Sequence, residues 1–250
     1  MIAAAAMLLI SSIQPAGASA AAGGPDADLL QAMACAPGVL PAAPVTAARV
    51  IGGMEYGRIM FGPGDRLLIN AGSRDGLRPG QRFFVKRPLQ QHPSALTDAG
   101  FRLVGIHTSG WITIVDTREH VSTATVTHAC DGVLDGDYLE PFTEPALPPF
   151  PSPAGAPDYS HPAHILMADE QRQTGFPGLL MLIDRGSQQG VRPGQTLTIF
   201  RTAAGGAGPA TDVGRATVLQ TGPATALVRI DATDGAVYVG DLTALPRGQQ

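Results

Sequence analysis

The chain predicts an all-β fold of two tandem small β-barrel modules, SH3-like or sandwich-like, joined by a proline-rich linker. Three observations carry that prediction. The first is an internal repeat: residues 63–87 read PGDRLLINAGSRDGLRPGQRFFVKR and residues 177–201 read PGLLMLIDRGSQQGVRPGQTLTIFR. The second is that apolar residues arrive in short runs of β-branched and aromatic types instead of at a helical period. The third is composition: 31 Gly and 22 Pro in 250 residues, with only 5% aromatic and 15% charged, are lean for long helices, while 44% hydrophobic content is too high for a disordered chain.

From the N-terminus, the apolar run Met1–Ile13 leads through Pro15 to Ala18-Ser19-Ala20. This is the apolar region and A-x-A site of a signal peptide over residues 1–20, although no Lys or Arg precedes the run. Export to a periplasmic or extracellular space is expected. No later stretch is apolar for long enough to span a bilayer, so no transmembrane segment is expected in the mature chain. Residues 21–47 form an N-terminal segment whose one helix candidate is Asp28–Ala34. Cys35 and Cys130 suit an oxidising compartment and either form a bridge or remain two buried thiols. A lipid anchor on Cys35 is a poor match, because Ala32-Met33-Ala34 lies beyond the polar stretch Pro25–Asp28.

The first barrel module is expected over 48–142. Its strands are read at Arg66–Ile69, Phe83–Val85, Trp111–Val115 and Ser122–Thr127. Residues 143–162 are the linker, semi-rigid because proline-rich. The second module spans 163–246, with strands at Leu180–Ile183, Thr196–Phe200, Gly214–Leu219 and Thr225–Ile230, and 247–250 is a tail. About half of the positions in the two repeat windows are identical without a gap, including Gly72, Gly76, Pro79, Gly80 and Arg87 against Gly186, Gly190, Pro193, Gly194 and Arg201. In the repeated turn, Gly76 offers positive φ at no steric cost, and Pro79-Gly80 suits a type II turn. Neither phosphate-loop spacing is present, so the turn is read as structural. Each copy ends in Gly-Asp followed by apolar residues and Pro, at Gly136-Asp137 and Gly240-Asp241.

The string GDRLLINAGSRDGLRPGQRFFVKRP, followed by Gly105 and the closing Gly136-Asp137, resembles the small β-barrel module at the C-terminus of flagellar assembly protein T. It is also similar to related modules that follow LysM domains in bacterial envelope proteins. The resemblance covers both copies. It implies a non-catalytic module used in envelope assembly or attachment and carries no catalytic residues to this chain. The chain has no LysM domain of its own, and Leu179 stands in the second copy where Asp65 opens the first.

Several side-chain groups invite chemistry. His161 and His164 form H-x-x-H without a further ligand at a recognised offset. Asp116, Glu119, His120 and Ser122 cluster in sequence but sit between two strands, where a polar hairpin loop is expected. Asp131, Asp135 and Asp137 lack the calcium-loop pattern and read as a turn. Trp111 is the single tryptophan, with a buried core ring or an exposed glycan platform as its two readings. A net charge of -4 argues against nucleic acid as a partner. No motif calls for a cofactor or a metal. The expected function is an exported non-enzymatic binding or scaffolding protein of the cell envelope, with an envelope protein or peptidoglycan as partner. The alternative is an exported hydrolase with a site between the modules.

Overall fold

The computed structural model describes residues 25–42, 44–45, 48–89, 104–152, 155–168, 172–202 and 208–247. The expected signal segment lies outside the described residues. Helix α1 (Pro25–Cys35) opens with Pro at its first position and acidic Asp26 and Asp28 in its first turn, both favourable at a helix N-terminus. It extends beyond the expected Asp28–Ala34 at both ends. Strand β1 (Gly38–Leu40) follows.

Copy 1 comprises β2 (Val50–Gly53), β3 (Met60–Phe61), β4 (Arg66–Ile69), β5 (Arg82–Pro88), β6 (Val104–Thr117), β7 (Ser122–Ala129), β8 (Val133–Leu134) and β9 (Tyr138–Pro141). Copy 2 comprises β10 (Pro157–Ala168), β11 (Thr174–Gly175), β12 (Leu180–Ile183), β13 (Thr196–Arg201), β14 (Thr211–Thr221), β15 (Ala226–Thr233), β16 (Val237–Tyr238) and β17 (Leu242–Pro246). The sheet order is β2-β4-β7-β6-β5-β9 in copy 1 and β10-β12-β15-β14-β13-β17 in copy 2, the same path in corresponding strands. The small pairs β3–β8 and β11–β16 correspond as well. The two stretches are therefore one topology used twice.

The copies differ in closure. Copy 2 is a closed barrel, because β10 is long enough to pair with both β12 and β17. Copy 1 is a curled sheet whose edges meet through one bridge, Arg49 with Tyr138, and three hydrogen bonds: Val50 N–H to the Asp137 carbonyl, Gly136 N–H to the Val50 carbonyl and Leu139 N–H to the Ala48 carbonyl. Each copy buries its own apolar centre. Val50, Leu67, Ile69, Val85, Ile112 and Val126 fill copy 1, and Ile165, Met181, Ile183, Leu197, Ile199 and Val228 fill copy 2. The alternation of strands places these side chains inward.

The second copy begins earlier than the sequence suggests. β10 pairs from Pro157 with Pro246 and shifts register between Asp158 and Ala163, so His161, expected in the linker, lies on the same strand as His164. Pro162 falls within that irregular stretch, where a missing N–H is tolerated.

Candidate functional site

In both copies the repeated Arg and the closing Gly-Asp meet. Arg87 forms a two-pronged pair with Asp137, at 2.7 and 2.8 Å, and donates to the Gly132 carbonyl. Asp137 is almost fully buried and also accepts from Ser109 Oγ and Leu134 N–H. Arg201 repeats this with Asp241 at 2.6 and 2.7 Å, and Asp241 accepts Tyr238 N–H. Hydrogen bonding to these carboxylates raises both guanidinium groups above the usual arginine range. Each pair ties the strand after the Pro-Gly turn to the strand that closes the sheet. The charges are matched inside the fold, so this is structural chemistry.

The repeated turns are likewise structural. Gly76, Gly80, Gly190 and Gly194 have φ of 86°, 88°, 82° and 84°, the left-handed region that favours glycine. Pro79 and Pro193 precede the second glycine of each turn, and the Gln81 and Gln195 N–H groups return to the Arg78 and Arg192 carbonyls at 3.3 and 3.2 Å. Gly72 and Gly186 are extended, and their role is close approach. A Cβ on Gly72 would lie 2.2 Å from the Arg118 carbonyl oxygen, and one on Gly186 2.3 Å from that of Gly222.

The two copies do not stand apart. The α1 residues Leu29, Ala32 and Met33, with Ala36 just beyond, pack on the outer face of the second barrel at Leu180, Leu219 and Leu227. Val39 and Leu89 pack on Leu166, Met167 and Leu182. Burial of such side chains contributes roughly 1.5–3 kcal/mol each. α1 is in turn bonded to copy 1, because Cys35 and Cys130 form a disulfide with Cα atoms 5.7 Å apart. β1 also pairs with the start of β6, where β7 has ended.

Between the two copies lies a cleft of about 700 Å³. Copy 1 supplies Phe84, Lys86, Thr108 and Glu140, the end of α1 forms one side, and Leu219, Thr221 and Leu227 of copy 2 face them. The linker residues from Thr143 to Pro149 line it too. The linker is anchored by Ser152 N–H to the Gly194 carbonyl at 2.7 Å and by Thr196 Oγ1 to the Ser152 carbonyl at 2.8 Å. Among the described lining residues the ionisable ones are Lys86, Glu140 and Glu144, and Lys86 donates to Glu140 at 2.7 Å.

A row of outward side chains starts in this cleft at Glu140 and Phe84 and runs away from it across copy 1. Glu140, Phe84, Trp111 and His128 are successive register partners on β9, β5, β6 and β7. Trp111 stacks on His128 with ring centres 4.3 Å apart, Phe142 lies 4.5 Å from Phe84, and Arg82 sits over Phe142 at 3.9 Å. Trp111 is thus half-buried on the outer face, not in the core, where its neighbour Ile112 points. The corresponding row in copy 2 is Ala244, Thr198, Arg215 and Ala232. Burial lowers the His128 imidazole from the ordinary histidine range, and it pushes the Tyr138 hydroxyl up to about 12.

The other groups singled out by sequence do not converge on the cleft. Arg118 to Val121 form the tip of the β6–β7 hairpin, with Asp116, Glu119 and His120 exposed, while Ser122 Oγ donates to the Ala71 carbonyl. His161 is exposed beside Ser160, and His164 lies against Asp184 with Nδ1 2.9 Å from Oδ2. Asp131 lies 2.8 Å from His107 Nε2, and Asp135 is exposed in the turn before Gly136. A site between the modules was expected only with the hydrolase alternative, and the residues that build the cleft were not legible from sequence. Its signal was the wholly apolar run Leu180-Met181-Leu182-Ile183, whose Leu180 replaces the exposed Arg66 of copy 1, because a barrel strand apolar on both faces must be covered outside. No protein-family model matches the chain, and a search of curated proteins finds no match.

Proposed function

We propose that this is a non-catalytic binding or scaffolding protein of the bacterial cell envelope. It holds its partner, a segment of an envelope protein or a peptidoglycan strand, in the cleft between its two modules. The observation that carries this reading is the cleft's construction from four parts of the chain: both copies, the end of α1 and the proline-rich linker. A concave surface of apolar side chains with a few placed polar groups is the ordinary form of a binding site. Proline in the linker limits the ordering that binding would otherwise require. The cleft end of the row, Phe84 and Glu140, has Thr198 and Ala244 at the same positions of copy 2, which supports a single composite site over two equivalent ones. The resemblance to envelope-assembly barrel modules and the disulfide both fit an exported protein.

The test is photo-crosslinking in cells from a reactive residue at Thr221, with co-sedimentation of the purified chain on isolated sacculi. Binding to one named envelope component or to sacculi is expected, and Thr225→Trp, which fills the cleft, should reduce it by about tenfold or more. Absence of both kinds of binding, or binding indifferent to Thr225→Trp, defeats the reading.

A further inference from the structure

The loop between β2 and β3 is the most exposed apolar feature among the described residues. Tyr56 and Ile59 stand 108% and 77% exposed, with Met54 at 60% and the flanking Ile51 and Met60 at 50% and 59%. Large apolar side chains gathered on one surface segment mark a contact site, whereas scattered ones do not. Copy 2 provides an internal control. The pairing of β2 with β4 and of β3 with β8 sets Gly53 and Met60 against Ala168 and Thr174 of copy 2. Between those points copy 1 reads Met-Glu-Tyr-Gly-Arg-Ile and copy 2 reads Asp-Glu-Gln-Arg-Gln. The same connection therefore carries three large apolar residues in one copy and none in the other, so the topology itself does not require them.

We propose that residues 54–59 form a lipid-contacting loop that seats copy 1 on an uncharged membrane surface. Three features favour lipid over a protein partner. The loop protrudes at its tip: it turns at Gly57, where φ is 80° and an added Cβ would meet nothing within 4 Å, with Tyr56 and Ile59 standing clear on either side, while Met54, Glu55 and Arg58 border a hollow of about 320 Å³ with Phe61 and Asp65. A protruding apolar tip enters a deformable lipid interface without a matching pocket. Its charges are matched within the protein, since Arg58 pairs with Asp65 and lies 3.5 Å from Glu55, so none is left alone at the interface. Its amphipathic Tyr suits the headgroup boundary. A second copy is disfavoured by size, because a loop of this length is small against the roughly 800 Å² that each partner of a stable interface buries. This inference rests on residues outside the cleft, so it stands or falls separately from the proposed function.

The experiment is flotation of the full chain with phosphatidylcholine vesicles and with vesicles containing phosphatidylglycerol, at low and high salt. The full chain is expected to float with both kinds to a similar extent, with little effect of salt. The triple variant Met54→Gln, Tyr56→Gln, Ile59→Gln should lower the bound fraction by about tenfold or more. These side chains are exposed, so the variant should keep the parent's thermal midpoint, which is the control for folding. The proposal is overturned if the full chain floats with neither vesicle, if it floats only with the anionic vesicles and salt releases it, or if the triple variant floats as well as the parent. It is equally overturned if the loop crosslinks to a protein in cells while lipid binding is absent.

Discussion

Glycine is used in two distinct ways within one turn, and the difference is measurable. Gly76 has room for a Cβ but a left-handed backbone, so an L side chain there costs roughly 1–2 kcal/mol. Gly72 has an ordinary extended backbone but no room, because a Cβ would overlap the Arg118 and Glu119 backbone. Gly72→Ala should therefore cost more than Gly76→Ala, on the order of 1–3 kcal/mol or above, since backbone cannot yield as a side chain does. Gly76→Asn should recover part of the loss and Gly72→Asn none, because Asn tolerates the left-handed region. Denaturant midpoints of the four variants check this, and equal losses at both positions would contradict it. The sequence repeat exposes these glycines as identities but not which of the two reasons applies to each. Likewise it exposes Arg87 and Asp137 as separate matches, and only the fold shows that they touch.

At the scale of elements, α1 and β1 have no counterpart in the repeat, yet they touch both copies. The helix is short, and isolated helices of this length are marginal in water, so its stability comes from what it packs against. The Cys35–Cys130 disulfide holds its C-terminal end on copy 1, and Leu29 and Met33 lie on copy 2. Replacing both cysteines with serine should lower stability by about 2–4 kcal/mol on the chain-entropy account, because the bridge closes a loop of 95 residues. Hydrogen exchange should quicken in α1 and β1 first. An unchanged denaturation midpoint with unchanged exchange would show that the bridge constrains nothing. The strands of both cores were legible because period-two patterns and turn residues act locally. The extent of β10 was not, since its pairing with β17 runs through the proline-rich residues that look like linker.

The whole molecule consists of one topology used twice, with each copy keeping its own core and diverging on its outer face. Copy 1 carries the aromatic row and the apolar loop, while copy 2 carries the apolar outer strand that α1 covers. Coupling between the copies should depend on that covering. Met33→Asp would bury a charge against Leu180, Leu219 and Leu227, a contact that cannot persist. The expected outcome is a larger radius of gyration by small-angle X-ray scattering and a split of thermal unfolding into two transitions. One transition with unchanged scattering would mean that the copies are joined by other means. The sequence alone determined the all-β class, the duplication, the turns and the proline-rich connection, because each depends on residues close together in the chain. Tertiary structure alone decided the disulfide, the Arg–Asp pairs, the placement of Trp111 outside the core and the cleft between the copies. Those depend on groups far apart in the chain meeting, and composition and periodicity describe what a strand buries but not what comes to cover it.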